Sequence, residues 1–178
     1  CRLSLVPVLF RDHFRPDVVL LNSSSRRFDT VSLGTEVNIL PSAIESTRMH
    51  GGLVIVQANA QMPYTYGDAQ IYENEIDYLV EVDEPVPAHE RGSLGDVEKQ
   101  IGDRIAALVE PGSTLQLGIG AVPDAVLAAL TDRKGLRIWT EMFSDGVLDL
   151  HKAGALDDDV PLTASLISGS RDLYDWLH

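Results

Sequence analysis

At 178 residues and 44% apolar content, the chain can bury a substantial core as one large domain or one domain plus part of another, and no apolar run approaches the roughly eighteen residues that a membrane span needs. Its 27 acidic against 14 basic residues, a net charge of -13, argue against nucleic acid as a partner, because phosphate binding needs a basic face; a small anionic ligand stays open, because main-chain amides at a helix start hold phosphate or a thioester oxygen whatever the net charge. A single cysteine excludes an internal disulfide and argues against cysteine-based metal sites, so no metal and a reducing cytoplasm are expected.

The opening residues lack the basic, apolar and small-residue pattern of a secretory leader. A start at Cys1 rather than Met leads to the expectation of a fragment of a longer protein. Residues 3–14 space apolar side chains as a helix would, with Pro7 as an interruption. Residues 17–21 (DVVLL) form a short apolar run that predicts a buried strand, and residues 22–27 a polar loop in which Arg26 and Arg27 are expected to be solvated rather than anion-binding. A further strand is expected over 31–37, then a helix over 38–50 with Pro41 near its first turn and Gly51-Gly52 closing it. Residues 53–57 (LVIVQ) predict a buried strand. The following loop, 58–71, carries Asn59, Met62, Pro63, Thr65 and Gly67 and is either substrate-facing or a plain connection. Residues 76–82 predict another strand, and the Pro- and Gly-containing stretch 83–95 a domain boundary that separates 1–88 from 89–178.

Beyond that boundary Val97, Ile101, Ile105 and Leu108 recur at helical spacing, which predicts an amphipathic helix over 96–108. Strands over 114–117, 136–140 and 162–167 then alternate with helices over 123–130 and 144–152. Strand and helix in alternation, with loops of a few residues, predict an α/β fold built on parallel sheet.

Two stretches carry chemistry. Residues 137–150 (RIWTEMFSDGVLDL) read as a strand ending in Glu141, with Ser144-Asp145-Gly146 as turn and helix cap. A carboxylate at the carboxyl end of a strand lies on the edge of an open α/β sheet where ligands bind, although on position alone a solvated loop residue is the commoner case. Residues 113–130 (STLQLGIGAVPDAVLAAL) set Gly118 and Gly120 between a strand and a helix whose first turn holds Pro123 and Asp124. Such glycines either let the backbone approach a ligand closely or serve tight packing, and Pro123 in place of a third glycine makes a dinucleotide fingerprint a poor match. The five histidines (His13, His50, His89, His151, His178) are scattered and are expected to be neither ligands nor bases. Trp139 is either pocket wall or core, and Asp157-Asp158-Asp159 reads as a solvated turn rather than a cation site.

LQLGIGAVPDAVLAAL followed by TEMFSDGVLDL resembles the acetyl-CoA hydrolase/transferase family, which includes 4-hydroxybutyrate, butyrate and acetate CoA-transferases. The resemblance extends over SLG at 32–34, ANAQMPYTYGD at 58–68, EVDEP at 81–85 and SGSRDLYDWL at 168–177, so it covers practically the whole chain. It implies two open α/β/α domains with the active site between them: residues 1–88 as the latter part of the first and 89–178 as the first part of a second domain only partly present. It implies that Glu141 is the nucleophile and that Gly118, Ile119, Gly120, Ala121 and Val122 lie against the CoA thioester. It implies further that coenzyme A is a substrate, with an acyl-CoA and a small carboxylic acid as reactants, no metal, and a homo-oligomer. Two departures stand out: residues 23–31 (SSSRRFDTV) replace a proline- and glycine-containing loop, and the family continues past the position of His178 into another glycine-rich loop on the CoA side.

The chemistry suits the residue type. Glutamate is ionised at neutral pH without a partner base. Its attack on a thioester and capture of the released thiolate split one difficult transfer into easier ones, with ping-pong kinetics as the signature. A hydrolase, in which water resolves the intermediate, and a noncatalytic CoA-binding module are the alternatives.

Overall fold

Short β-branched runs, alternately buried and exposed, build one parallel sheet in each of two compact units, Cys1–Pro87 with Leu177–His178 and Ala88–Trp176. The computed structural model describes residues 2–178. Parallel sheets with helical crossovers are the α/β architecture expected from the alternation of elements.

In the first unit, a 3-10 turn at Leu3–Leu5 leads into helix α1 (Val6–Asp12). Pro7 sits in the first turn of α1, where its missing N–H has no intrahelical acceptor anyway, so it starts the helix rather than interrupting it. Strand β1 (Val18–Ser24) pairs in parallel with β3 (Leu53–Asn59), which pairs with β5 (Tyr78–Val82). Helix α2 (Leu40–Met49) crosses between β1 and β3. Val19, Leu21, Val54 and Val56 point into a core shared with Ala43 and Ile44 of α2. Val18, Leu20 and Leu53 point the other way and leave that sheet face open within the unit, with Leu20 73% exposed.

Three expectations for this unit need correction. The strand over 17–21 runs on to Ser24, taking Asn22–Ser24 from the expected polar loop. The strand over 31–37 shrinks to β2 (Thr30–Ser32), because Gly34 turns the chain at a φ of 69°. Part of the loop 58–71 is strand: Ala58 and Asn59 still belong to β3, and β4 (Gln70–Tyr72) pairs antiparallel with β2.

In the second unit, β6 (Thr114–Leu115), β7 (Arg137–Phe143) and β8 (Thr163–Ile167) lie in that order, all parallel. Helices α3 (Asp96–Ala106), α4 (Ala121–Ala128), α5 (Asp145–Lys152) and α6 (Arg171–Leu177) complete it. The expected helix over 96–108 forms, but its apolar stripe is not what packs. Gly102 and Ala106 face α4, a Cβ on Gly102 would stand 2.6 Å from the Ala125 carbonyl oxygen, and Val97 and Leu108 remain 65% and 82% exposed. Small residues allow backbones to approach where large ones hold them apart. Among the described residues, no helix is long and apolar enough to cross a membrane.

Candidate active site

Strand β7 carries the site. Its burial alternates from Arg137 to Glu141, so Ile138 and Thr140 are buried while Arg137, Trp139 and Glu141 are exposed on the other face. Glu141 does not end the strand as its sequence position suggests; β7 continues to Phe143, paired with β8 through Met142–Leu166 and Phe143–Ile167. On its other side the ladder is shorter, because β6 stops at Leu115 opposite Ile138. Carrying that register onward sets Leu117 level with Thr140 and Gly118 level with Glu141. The two motifs therefore meet edge to edge. On the β8 side, the Ser165 hydroxyl lies 3.4 Å from the Glu141 carbonyl oxygen.

The glycine loop is open rather than packed. Gly120 caps α4 with φ 107°, a backbone that side-chain-bearing residues rarely adopt, and a Cβ added there would meet nothing within 4 Å. Gly118 needs no such backbone, and its added Cβ would find only Pro123 Cγ at 3.7 Å. Tight packing, the alternative raised by the sequence, does not account for either glycine. Ile119 is 70% exposed, and Ala121 and Val122 open helix α4, whose first-turn N–H groups lack intrahelical acceptors. The Leu117–Thr140 bond holds the chain just before Gly118 against the residue just before Glu141, and Ile119, Gly120, Ala121 and Val122 follow along the same loop and helix start.

Below the loop a polar network fixes the turn after β7. Asp145, 6% exposed at the start of α5, accepts bonds from the Ser170 amide at 3.0 Å and the Ser170 hydroxyl at 2.5 Å. Arg91 donates to the Asp145 carbonyl at 2.7 Å and pairs with the Asp149 carboxylate. Burial pulls the Arg91 guanidinium down, but Asp149 and Asp145 outweigh it and hold Arg91 above its ordinary value. Asp124, in the first turn of α4, is pushed up by burial, while Arg91 and a bond from Ser144 oppose the shift. Gly146 lets α5 settle on α4: a Cβ there would stand 2.5 Å from Leu127 Cδ1. Thr140 and Ser165 carry no signal in the sequence, and Asp124 marks there only a helix start; their partners lie on other elements.

The candidate loop of the first unit is tied to its surroundings by hydrogen bonds. Asn59, 1% exposed, donates to the Glu84 carbonyl at 2.8 Å and accepts from the Gln61 and Glu84 amides at 3.1 and 3.0 Å. Thr65 donates to the Gly34 carbonyl at 2.8 Å and Met62 lies against Gly34. Arg26 is not simply solvated; it pairs with Glu73 at 2.7 Å, and that bond raises its pKa. Arg27 stacks over the Tyr64 ring at 4.7 Å. Among the described residues, no group of three or more His, Cys, Asp or Glu is arranged to hold a metal ion.

No family model matches the chain. The 4-hydroxybutyrate coenzyme A transferase of Clostridium kluyveri is 40% identical to it over 186 residues, which take in 100% of this chain and 42% of that protein. An acetyl-CoA hydrolase of Kluyveromyces lactis is 51% identical over a shorter stretch of 45 residues, 24% of this chain and 9% of that protein. The crystal structure of a 4-hydroxybutyrate CoA-transferase from Porphyromonas gingivalis superposes with a TM-score of 0.89 at 37% identity, covering 100% of this chain and 46% of that one. The chain spans less than half the length of these relatives. Its two motifs, its pair of parallel sheets and these likenesses along the whole chain agree, and the chain belongs to the acetyl-CoA hydrolase/transferase family.

Proposed function

We propose that the protein is a CoA-transferase that moves CoA between a short-chain acyl-CoA and a free carboxylate, with Glu141 as covalent nucleophile. The observation that supports this reading is the register of β6 on β7 together with the Leu117–Thr140 bond, after which one strand runs into the glycine loop and the other into the exposed Glu141. Glu141 attacks the acyl-CoA carbonyl to give an acyl-glutamyl anhydride and CoA thiolate. The thiolate then attacks the glutamyl carbonyl, releasing the carboxylic acid as carboxylate and leaving a glutamyl-CoA thioester. The acceptor carboxylate reverses these steps and carries CoA away. Each attack builds a tetrahedral oxyanion that needs donors, and the main chain of Gly118 to Val122 is the candidate source, with a typical loss of about a hundredfold to a thousandfold in rate per donor removed.

Coenzyme A is in this reading a substrate, and no resident metal is invoked. Residues 1–88 and 89–178 correspond to the latter part of one CoA-transferase domain and the first part of the next. Net acidity supports a protein without nucleic-acid partners, and we place it, as a homo-oligomer, in the cytoplasm. The test is a peptide-mass measurement on the full-length protein after exposure to acetyl-CoA or butyryl-CoA. A CoA adduct on the peptide containing Glu141 is expected; turnover with no adduct at Glu141 under single-turnover conditions overturns the nucleophile.

A hydrolase is the second reading, favoured by the local match to an acetyl-CoA hydrolase. The ratio of CoA transferred to added acid against CoA released to water separates the two.

A further inference from the structure

The ladder between β6 and β7 ends at Leu115 and Ile138, yet two residues further on Leu117 still bonds to Thr140, the position that the same 23-residue offset assigns to it. A side chain does what the backbone no longer does. Thr140 is 6% exposed, and its Oγ1 accepts the Leu117 N–H at 2.8 Å. The same oxygen lies 3.1 Å from the Leu117 carbonyl oxygen and 3.0 Å from the Met142 carbonyl oxygen, so its one proton serves one of these acceptors at a time. Leu117 is itself 8% exposed, which removes water as a substitute partner for its amide. The bond spans 23 residues and joins the neighbours of the two groups that matter: Gly118 follows Leu117, and Glu141 follows Thr140.

We propose that Thr140 is a positioning residue whose hydroxyl staples the main chain at Leu117 to β7, and so fixes the glycine loop relative to Glu141. This rests on the reading of Glu141 as nucleophile. Thr140 is buried on the face of β7 opposite Glu141 and bonds only to main-chain atoms, so it acts through its two main-chain neighbours. Attack geometry tolerates little displacement, since a shift of about 1 Å can cost on the order of a hundredfold in rate. A buried amide left without its acceptor will move to find one.

The experiment uses the full-length protein with Thr140→Val, close in shape but without the hydroxyl, and Thr140→Ser, which keeps it. For Thr140→Val we expect kcat to fall about tenfold to a hundredfold, with KM for acyl-CoA changed less than about threefold and glutamyl-CoA formation slowed by the same factor as kcat. Thr140→Ser should restore kcat to within about threefold of wild type, since the donor and acceptor are retained. Thr140→Val with unchanged kcat, or Thr140→Ser as impaired as Thr140→Val, overturns the proposal. Hydrogen exchange of the Leu117 amide in the wild-type protein gives a reading that depends on no variant: protection is expected, and exchange as fast as in an open loop overturns the staple. Glu141→Ala runs alongside. If it retains turnover, the nucleophile reading fails; if it is inactive while Thr140→Val is unaffected, only the staple fails.

Discussion

Each unit places a glycine-containing turn just past a short strand, and the two turns are built to opposite ends. In the first unit Gly34, after β2, is closed in: its φ is 69°, a Cβ would run into Met62, and its main chain is tied to Ser32 and Thr65. In the second unit Gly118, after β6, has ordinary backbone, and a Cβ there would meet only Pro123 Cγ at a contact distance of 3.7 Å. Glycine just past a strand is therefore not evidence of a ligand by itself. Open space does not mark a ligand either, since a Cβ at Gly51, Gly67 or Gly112 would also meet nothing; the contrast is that protein already fills the place of the missing methyl at Gly34 and does not clash with one at Gly118.

The largest effect expected from this contrast lies at the carboxylate. Glu141→Ala should lower kcat for CoA transfer by at least about a thousandfold while CoA binding, read by calorimetry, is largely kept. Equal loss of binding and turnover would mean that the side chain serves the site's architecture instead. The two glycines should then respond in different quantities, one in stability and the other in rate. Gly34→Ala combines a left-handed backbone with a clash, and should destabilise by about 2–4 kcal/mol in chemical denaturation. Gly118→Ala should change stability by less than about 0.5 kcal/mol, yet lower kcat/KM for acyl-CoA by about tenfold or more, because in the proposed mechanism the thioester lies against this glycine. A Gly118→Ala protein with full kcat/KM would erase the contrast. Asn59→Ala removes three part-buried hydrogen bonds in the first unit and should cost about 2–3 kcal/mol, with the transfer rate of the folded protein unchanged.

Much of this was legible before the structure. Alternating strands and helices pointed to the α/β class, and the two motifs to the family. What escaped has physical causes. Asn22, Ser23 and Ser24 look like a loop, but Ser24 accepts the Ser32 amide and the serine hydroxyls bond to neighbouring carbonyls, so polar residues stay in the strand. Strands as short as β2 and β4 carry no periodicity to detect. The stripe on α3 is periodic without being the packed face, because Gly102 and Ala106 bring that helix against α4. Thr140 has no local signal at all; its partner lies 23 residues back and is chosen by register.

The smallest expected effect concerns acid, and it again separates the units. Asp77 in the first unit accepts the Val54 amide at 2.8 Å, and that bond, helped by Arg48 and opposed by burial, holds its pKa below the usual carboxylate value. A depressed acid contributes stability that is present above its unfolded pKa of roughly 3.9 and is lost as pH falls through the folded value. Asp124 in the second unit is raised, chiefly by burial, so its sign is reversed: its contribution is full below the unfolded pKa and is lost as pH rises through the folded value. Urea midpoints measured from about pH 3 to pH 7 should therefore fall less steeply toward acid in Asp77→Asn than in wild type. In Asp124→Asn they should fall more steeply, because the variant removes the one group of the two that is easier to keep folded when protonated. Parallel curves for the two variants would mean that neither carboxylate titrates differently on folding, and that the opposite environments seen around them carry no free energy.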